Sequence, residues 1–280
     1  MKFDVIAGNP PYQTKSADSD TKTQPIWNKF VKKSLELLKP NEFLCYVHPS
    51  GWRSSGNIFE DAKELKKRQI EYLEIHGEDD GNKVFGATTR YDWYVLKNCL
   101  PSHLTTIKDQ DGNIVKENIA DKSFIPNAQS DVIYAFLAKP GEEKVEIIHS
   151  WTAYESRQPY ISENKHGQFK YPVVYSVPVE APTIWFSSTK DRGHFGISKV
   201  ILNASRPLSC VVDLKGEYGM SQFCVGIVGD KQYLEMVADV IQNQKANGFA
   251  KFMESCSFTD KLFNKEVISQ FRKDFWKAFV

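Results

Sequence analysis

The chain has 280 residues, 41% of them hydrophobic and 25% charged, with a formal net charge of +1. That length suits one large domain or two small ones with buried cores. The near-neutral balance does not advertise a nucleic-acid binder, though a local basic face is enough to make one. Five cysteines (Cys45, Cys99, Cys210, Cys224 and Cys256) lie far apart with no CxxC or Cys/His spacing for zinc, which points to reduced thiols in the cytoplasm. No stretch reaches membrane-spanning length, and the first residues lack a signal-peptide pattern.

Residues 3–7 read as a short buried strand. Residues 24–39 ("QPIWNKFVKKSLELLK") put Trp27, Phe30, Val31, Leu35 and Leu38 on one face at helical spacing, with Pro25 in the first turn and Pro40-Asn41 as the stop. A second strand is expected over 43–48, an amphipathic helix over 58–69 and a third strand over 70–75. The stretch "GEDDGNKVFGATTR" reads as a loop before a fourth strand over 91–96. This order implies a parallel α/β sheet closed by a hairpin, about half of a doubly wound domain. Near residue 100 the texture changes to short β-rich pieces ("YPVVYSV", "TIWFSS", "KVILNAS"), then helical pieces over 231–243, 245–255 and 265–279. The expected organisation is an α/β half-domain over 1–110 and an α+β domain over 111–280.

The first strand stops on Asn9-Pro10-Pro11-Tyr12. In an α/β sheet the carboxyl end of a strand faces the ligand crevice. Two prolines stiffen the turn and hold the residues before them extended. The Asn9 amide and the Pro10 carbonyl can then both accept from one amino group, while Tyr12 offers a flat face for a planar base. The plain alternative is a surface turn with a structural tyrosine.

"FDVIAGNPPYQ", "LELLKPNEFLCYVHPSGW" and "KVFGATTRYDWYVLKN" together resemble the gamma-type adenine-specific DNA methyltransferases of restriction–modification systems. The likeness is closest over residues 1–100 and looser beyond, where "GQFKYPVVYS", "HFGISKVIL" and "KQYLEMVADVIQNQ" are similar to target-recognition domains. It implies a methyltransferase (Rossmann-like) sheet, double-stranded DNA as partner and S-adenosylmethionine as cofactor. It also implies that Asn9 and Pro10 hold the 6-amino group of a flipped adenine while Tyr12 stacks on the base. An aromatic that closes the pocket is expected at Phe85, with Tyr91 and Trp93 as alternatives. Protein-glutamine and ribosomal-RNA methyltransferases use a similar turn, and a non-catalytic DNA-binding subunit is a further alternative.

Trp52 and Arg53 are expected either to touch DNA or to cover the sheet edge. His48 reads as a structural histidine or as a neighbour of the cofactor. "STKDRGHFG" reads as an exposed loop whose Lys190, Arg192 and His194 suit phosphate or base-edge contacts. The resemblance places the cofactor's glycine turn and its acidic ribose ligand upstream of the Asn-Pro-Pro-Tyr turn, and eight residues precede Asn9 here. Most of the cofactor site is therefore expected outside this chain, on a companion polypeptide, unless the chain is a fragment or a remnant. The acid and glycines of "VVDLKGEYGMSQF" (211–223) make a weak substitute for that fingerprint.

Overall fold

The computed structural model describes residues 2–16, 19–55, 63–259 and 262–280, except for the side chains of 15–22. It divides into two compact units, Met1–Ser130 and Asp131–Val280. No helix among the described residues is long and apolar enough to cross a membrane.

The first unit is built on a six-stranded sheet in the order β1-β4-β6-β5-β7-β8. Its strands are β1 (Phe3–Gly8), β4 (Leu38–Pro49), β5 (Gln69–His76), β6 (Tyr91–Lys97), β7 (Thr105–Lys108) and β8 (Ile114–Glu117). β1 runs parallel to β4, with Ile6 opposite Leu44. β6 inserts antiparallel between β4 and β5, and β7 pairs parallel with β5. Thus β1, β4, β5 and β7 share one direction while β6 and β8 oppose it, giving the expected α/β class with a mixed sheet. Burial alternates along β4, where Leu44, Tyr46 and His48 face inward, as the two-residue strand period requires. Leu44 and Tyr46 join Trp27, Val31, Trp52, Leu73, Tyr94 and Leu96 in one core.

Several elements depart from the sequence expectations. Helix α1 spans Trp27–Leu37, because Pro25 ends a strand of the hairpin β2 (Gln13–Ser16) and β3 (Ser19–Pro25). Trp27 and Val31 are buried as expected, but Phe30 is 39% exposed. The helix expected over 58–69 falls largely on 56–62, outside the described residues, and Glu64–Lys67 forms a short 3-10 turn. A boundary at 110 would fall within the β7–β8 hairpin; the division between units lies after Ser130 instead.

The second unit is α+β. One four-stranded sheet is centred on Tyr171–Ser176 and Thr183–Ser187, the other on Lys199–Asn203 and Cys224–Val228. Helices follow at Lys231–Gln242 and Phe249–Ser255. The helix expected over 265–279 is broken into Lys265–Ile268 and a 3-10 segment Lys273–Phe279, because Phe271 and Arg272 form bridges to Leu137 and Lys144.

Candidate active site

β1 delivers Asn9-Pro10-Pro11-Tyr12 to the carboxyl end of the sheet. The turn is anchored by the Tyr12 carbonyl, which accepts from the Ile26 N–H at 3.1 Å. Asn9 is exposed, Pro10 is buried and Tyr12 is half-buried, its ring packed on the core of the first unit. The Tyr12 hydroxyl is enclosed yet makes no hydrogen bond of normal geometry among the described residues. Burial pushes its pKa up to about 12, and the nearby Asn9 side chain pulls part of that back. That influence puts the Asn9 side chain beside the Tyr12 hydroxyl, so the amide and the ring sit together at the end of β1.

The ring facing Tyr12 is Phe85, with centroids 5.8 Å apart at 70°. Phe85 is the last residue of a helix, Glu78–Phe85, rather than part of a loop. Glu78, Asp79 and Asp80 favour the positive end of the helix. Gly86, at φ 65°, ends it in the left-handed conformation that glycine tolerates. Inside the helix, Gly81 lies against the next segment so closely that a Cβ would sit 2.0 Å from the Thr89 carbonyl oxygen.

The alternative wall residues have further partners of their own. Tyr91 is 6% exposed, its hydroxyl donates to Asp80 Oδ2 at 2.6 Å, and its face is stacked on His76. Trp93 leans on Tyr72 at 5.0 Å. His76 and Asp80 are not among the sequence expectations: the four-residue spacing is there, but the stretch reads as a loop. Slotting a base between two parallel rings needs about 7 Å, twice a carbon contact distance. The Tyr12–Phe85 pair is perpendicular rather than parallel, so this candidate slot offers a base one face and one edge.

Trp52 and Arg53 are corrected to interior positions. Both are fully buried, which leaves no side-chain surface for DNA. The Trp52 indole and Arg53 Nε each donate to Asp92 Oδ2 at 2.8 Å, and Arg53 also donates to the Ile125 carbonyl and Asn127 Oδ1. Asp92 feels two opposed effects; burial, the larger, raises its pKa and the guanidinium lowers it. His48 is structural. The Pro49 carbonyl can only accept, so Nδ1–H donates to it at 3.0 Å and Nε2 takes the Tyr94 hydroxyl at 3.1 Å. Its ring also stacks on Trp27.

In the second unit, Lys190 and Arg192 are exposed, with the Arg192 guanidinium 4.6 Å over the Tyr160 ring. His194 is corrected. It is 7% exposed, and its Nδ1 accepts the Met220 N–H at 3.3 Å, so it is not a surface imidazole. Burial lowers the pKa of both His48 and His194 to about 4. Unfolding frees these rings to take up protons below about pH 6.5, so their contribution to stability falls as pH drops from about 6.5 to about 4. Urea midpoints should therefore decline over that range, and a His48→Gln, His194→Gln double variant should show a shallower decline. An identical decline in the double variant would refute this assignment.

The segment 211–223 is accounted for by packing. Asp213 forms a buried pair with Lys199 at 2.6 Å and accepts the Glu217 and Tyr218 N–H groups. Gly216 lies where a Cβ would meet Ile197 N at 2.4 Å. These residues do not fit a cofactor's ribose and glycine turn, so none is assigned to S-adenosylmethionine.

Residues 1–85 match the family model described as Eco57I restriction-modification methylase. Over 79 residues the chain is 37% identical to an uncharacterized adenine-specific methylase of Mycoplasma pneumoniae, covering 27% of this chain and 18% of that protein. The chain therefore spans under a fifth of this curated relative. Among solved structures, the type IIL restriction-modification enzyme MmeI in complex with DNA overlaps 95% of this chain and 46% of its own, at 9% identity and a TM-score of 0.47. The DrdV–DNA complex overlaps 94% and 43%, at 10% identity and a TM-score of 0.41. The M protein of the type I restriction enzyme EcoKI overlaps 39% and 25%, at 13% identity and a TM-score of 0.31. The matched 1–85 segment contains Asn9, Pro10, Tyr12 and Phe85 and is similar to restriction–modification methylases.

Proposed function

We propose that this chain carries the base-accepting part of an adenine-specific DNA methyltransferase of a restriction–modification system. The observation that carries the reading is the exposed Asn9 amide beside the half-buried Tyr12, at the carboxyl end of β1 and facing Phe85. The likeness of residues 1–85 to restriction–modification methylases supports it.

The adenine amine is a poor nucleophile because its lone pair is delocalised into the ring. Donating its hydrogens to Asn9 Oδ1 and the Pro10 carbonyl favours the pyramidal, developing-cation nitrogen over the planar ground state, and that difference lowers the barrier. The base must leave the duplex stack to reach this turn, and Tyr12 gives it a new stacking face. S-adenosylmethionine supplies an electrophilic methyl group carried on a sulfonium. The residues that hold it are assigned to strands docking on the free edge of β1, from a companion polypeptide or a further stretch of chain. Phe3 and Val5 on that strand are 37% and 58% exposed. Unpaired apolar strand edges invite such pairing. Lys190 and Arg192 are assigned to DNA backbone contacts in the second unit. The reading places the protein in the cytoplasm with its DNA.

A duplex with 2-aminopurine at the target position tests the slot. Tyr12→Ala should reduce the flipping fluorescence by roughly 5- to 150-fold in equilibrium terms, while Tyr12→Trp keeps most of it. Equal signals from the two variants would rule out stacking by this residue.

A further inference from the structure

The loop between β5 and β6 is closed by a carboxylate that the proposed reaction does not use. His76 ends β5 and Tyr91 begins β6, directly opposite each other in the antiparallel register. Their rings stack at 4.4 Å with 4° between planes. Asp80 lies in the helix that follows, four residues after His76. Its Oδ2 accepts from both rings, from His76 Nδ1–H at 2.6 Å and from the Tyr91 hydroxyl at 2.6 Å. Glu74 Oε1 lies 3.4 Å from the remaining ring nitrogen of His76 and takes Lys108 Nζ at 3.0 Å. The far side of this assembly bears on the candidate site, because Tyr91 meets Phe85 edge-on at 4.9 Å and 85°.

We propose that Asp80 is a positioning residue for the base slot, locking Tyr91 in the orientation against which Phe85 rests opposite Tyr12. The proposal rests on the reading of Tyr12 and Phe85 as the slot. Two charge-assisted bonds to one oxygen define an orientation more sharply than packing does. The backbone ladder of β5 and β6 already holds the Tyr91 main chain. The carboxylate adds what the ladder lacks: it ties the Tyr91 hydroxyl at the ring's tip, which fixes the swing of the side chain, and it ties His76 Nδ1–H so that the imidazole stacks on Tyr91, which fixes the rotation of the tyrosine ring. Edge-on contact between aromatic rings depends on that rotation.

The test uses the full chain with Asp80→Ala and Asp80→Asn, which keeps an acceptor oxygen. Fluorophenylalanine labelling gives a DNA-free readout, with the Phe85 resonance identified by its loss in Phe85→Leu. Asp80→Ala should shift or broaden that resonance, and Asp80→Asn should largely restore it. With the 2-aminopurine duplex, Asp80→Ala should lower the flipping signal by about two- to tenfold, on the scale of one lost aromatic contact, with duplex affinity little changed. An unmoved Phe85 resonance in Asp80→Ala overturns the proposal. So does an unchanged flipping signal in Asp80→Ala when Tyr12→Ala abolishes it, an outcome that leaves the slot itself standing. A flipping signal unaffected by Tyr12→Ala overturns the slot reading and the proposal together.

Discussion

Asn9→Ala should lower methyl transfer by about 10²–10³-fold, the cost of losing one preorganised hydrogen-bonding group aimed at developing charge. The reaction is followed in a single turnover, in an assembly that supplies the cofactor site. Duplex binding stays within about threefold of the parent, because the amide acts on the transition state more than on the bound ground state. Asn9 is exposed at the end of β1 and buries little apolar surface, so the variant should fold normally. Near-parental turnover in Asn9→Ala would remove the amide from the chemistry. A loss of duplex binding equal to the loss of rate would make Asn9 a binding residue only.

The second large effect is on stability. Arg53→Met leaves Asp92 buried with its main countercharge gone, and such a removal costs about 3–5 kcal/mol. Urea unfolding of the first unit should show it as a lower midpoint. Replacing both partners, Arg53→Met with Asp92→Leu, should recover much of the loss, because an apolar pair avoids the stranded charge. If the double variant is no better than the single, the pair is not what holds this region. A single variant as stable as the parent would mean that Asp92 is adequately served by the Trp52 indole alone.

The parts of the fold that could be read in advance rest on local patterns. Strands β1, β4, β5 and β6 follow from short apolar runs and two-residue alternation, and Asn9, Pro10 and Tyr12 follow from one tetrapeptide at a strand's end. The helix Glu78–Phe85 was hidden by its own composition, acidic residues around a central glycine, although its first-turn acids and terminal Gly86 are ordinary start and stop signals. The β2–β3 hairpin, made of polar residues such as Gln13 and Thr14, has no apolar stripe to reveal it. Arg53 and His194 were misplaced for a different reason. An arginine reads as exposed unless its partners are known, and here those partners, Asp92 and Asn127, lie 39 and 74 residues further along the chain. The shielding of His194 likewise depends on Met220, 26 residues away.

The reach of Arg53 has a consequence for how the first unit can be divided. One guanidinium joins the turn after β4, the strand β6 and the segment around Ile125, and the Arg53 carbonyl in turn accepts the Ile125 N–H at 3.0 Å. The stretch that follows the β7–β8 hairpin is therefore part of the interior of the unit rather than a tether leading out of it. A chain severed near residue 110 would lose Ile125 and Asn127, leaving a buried cation with two of its acceptors missing. The same cut would separate the two strands of the hairpin. A cut anywhere between β8 and Asn127 would in the same way open the interior to water.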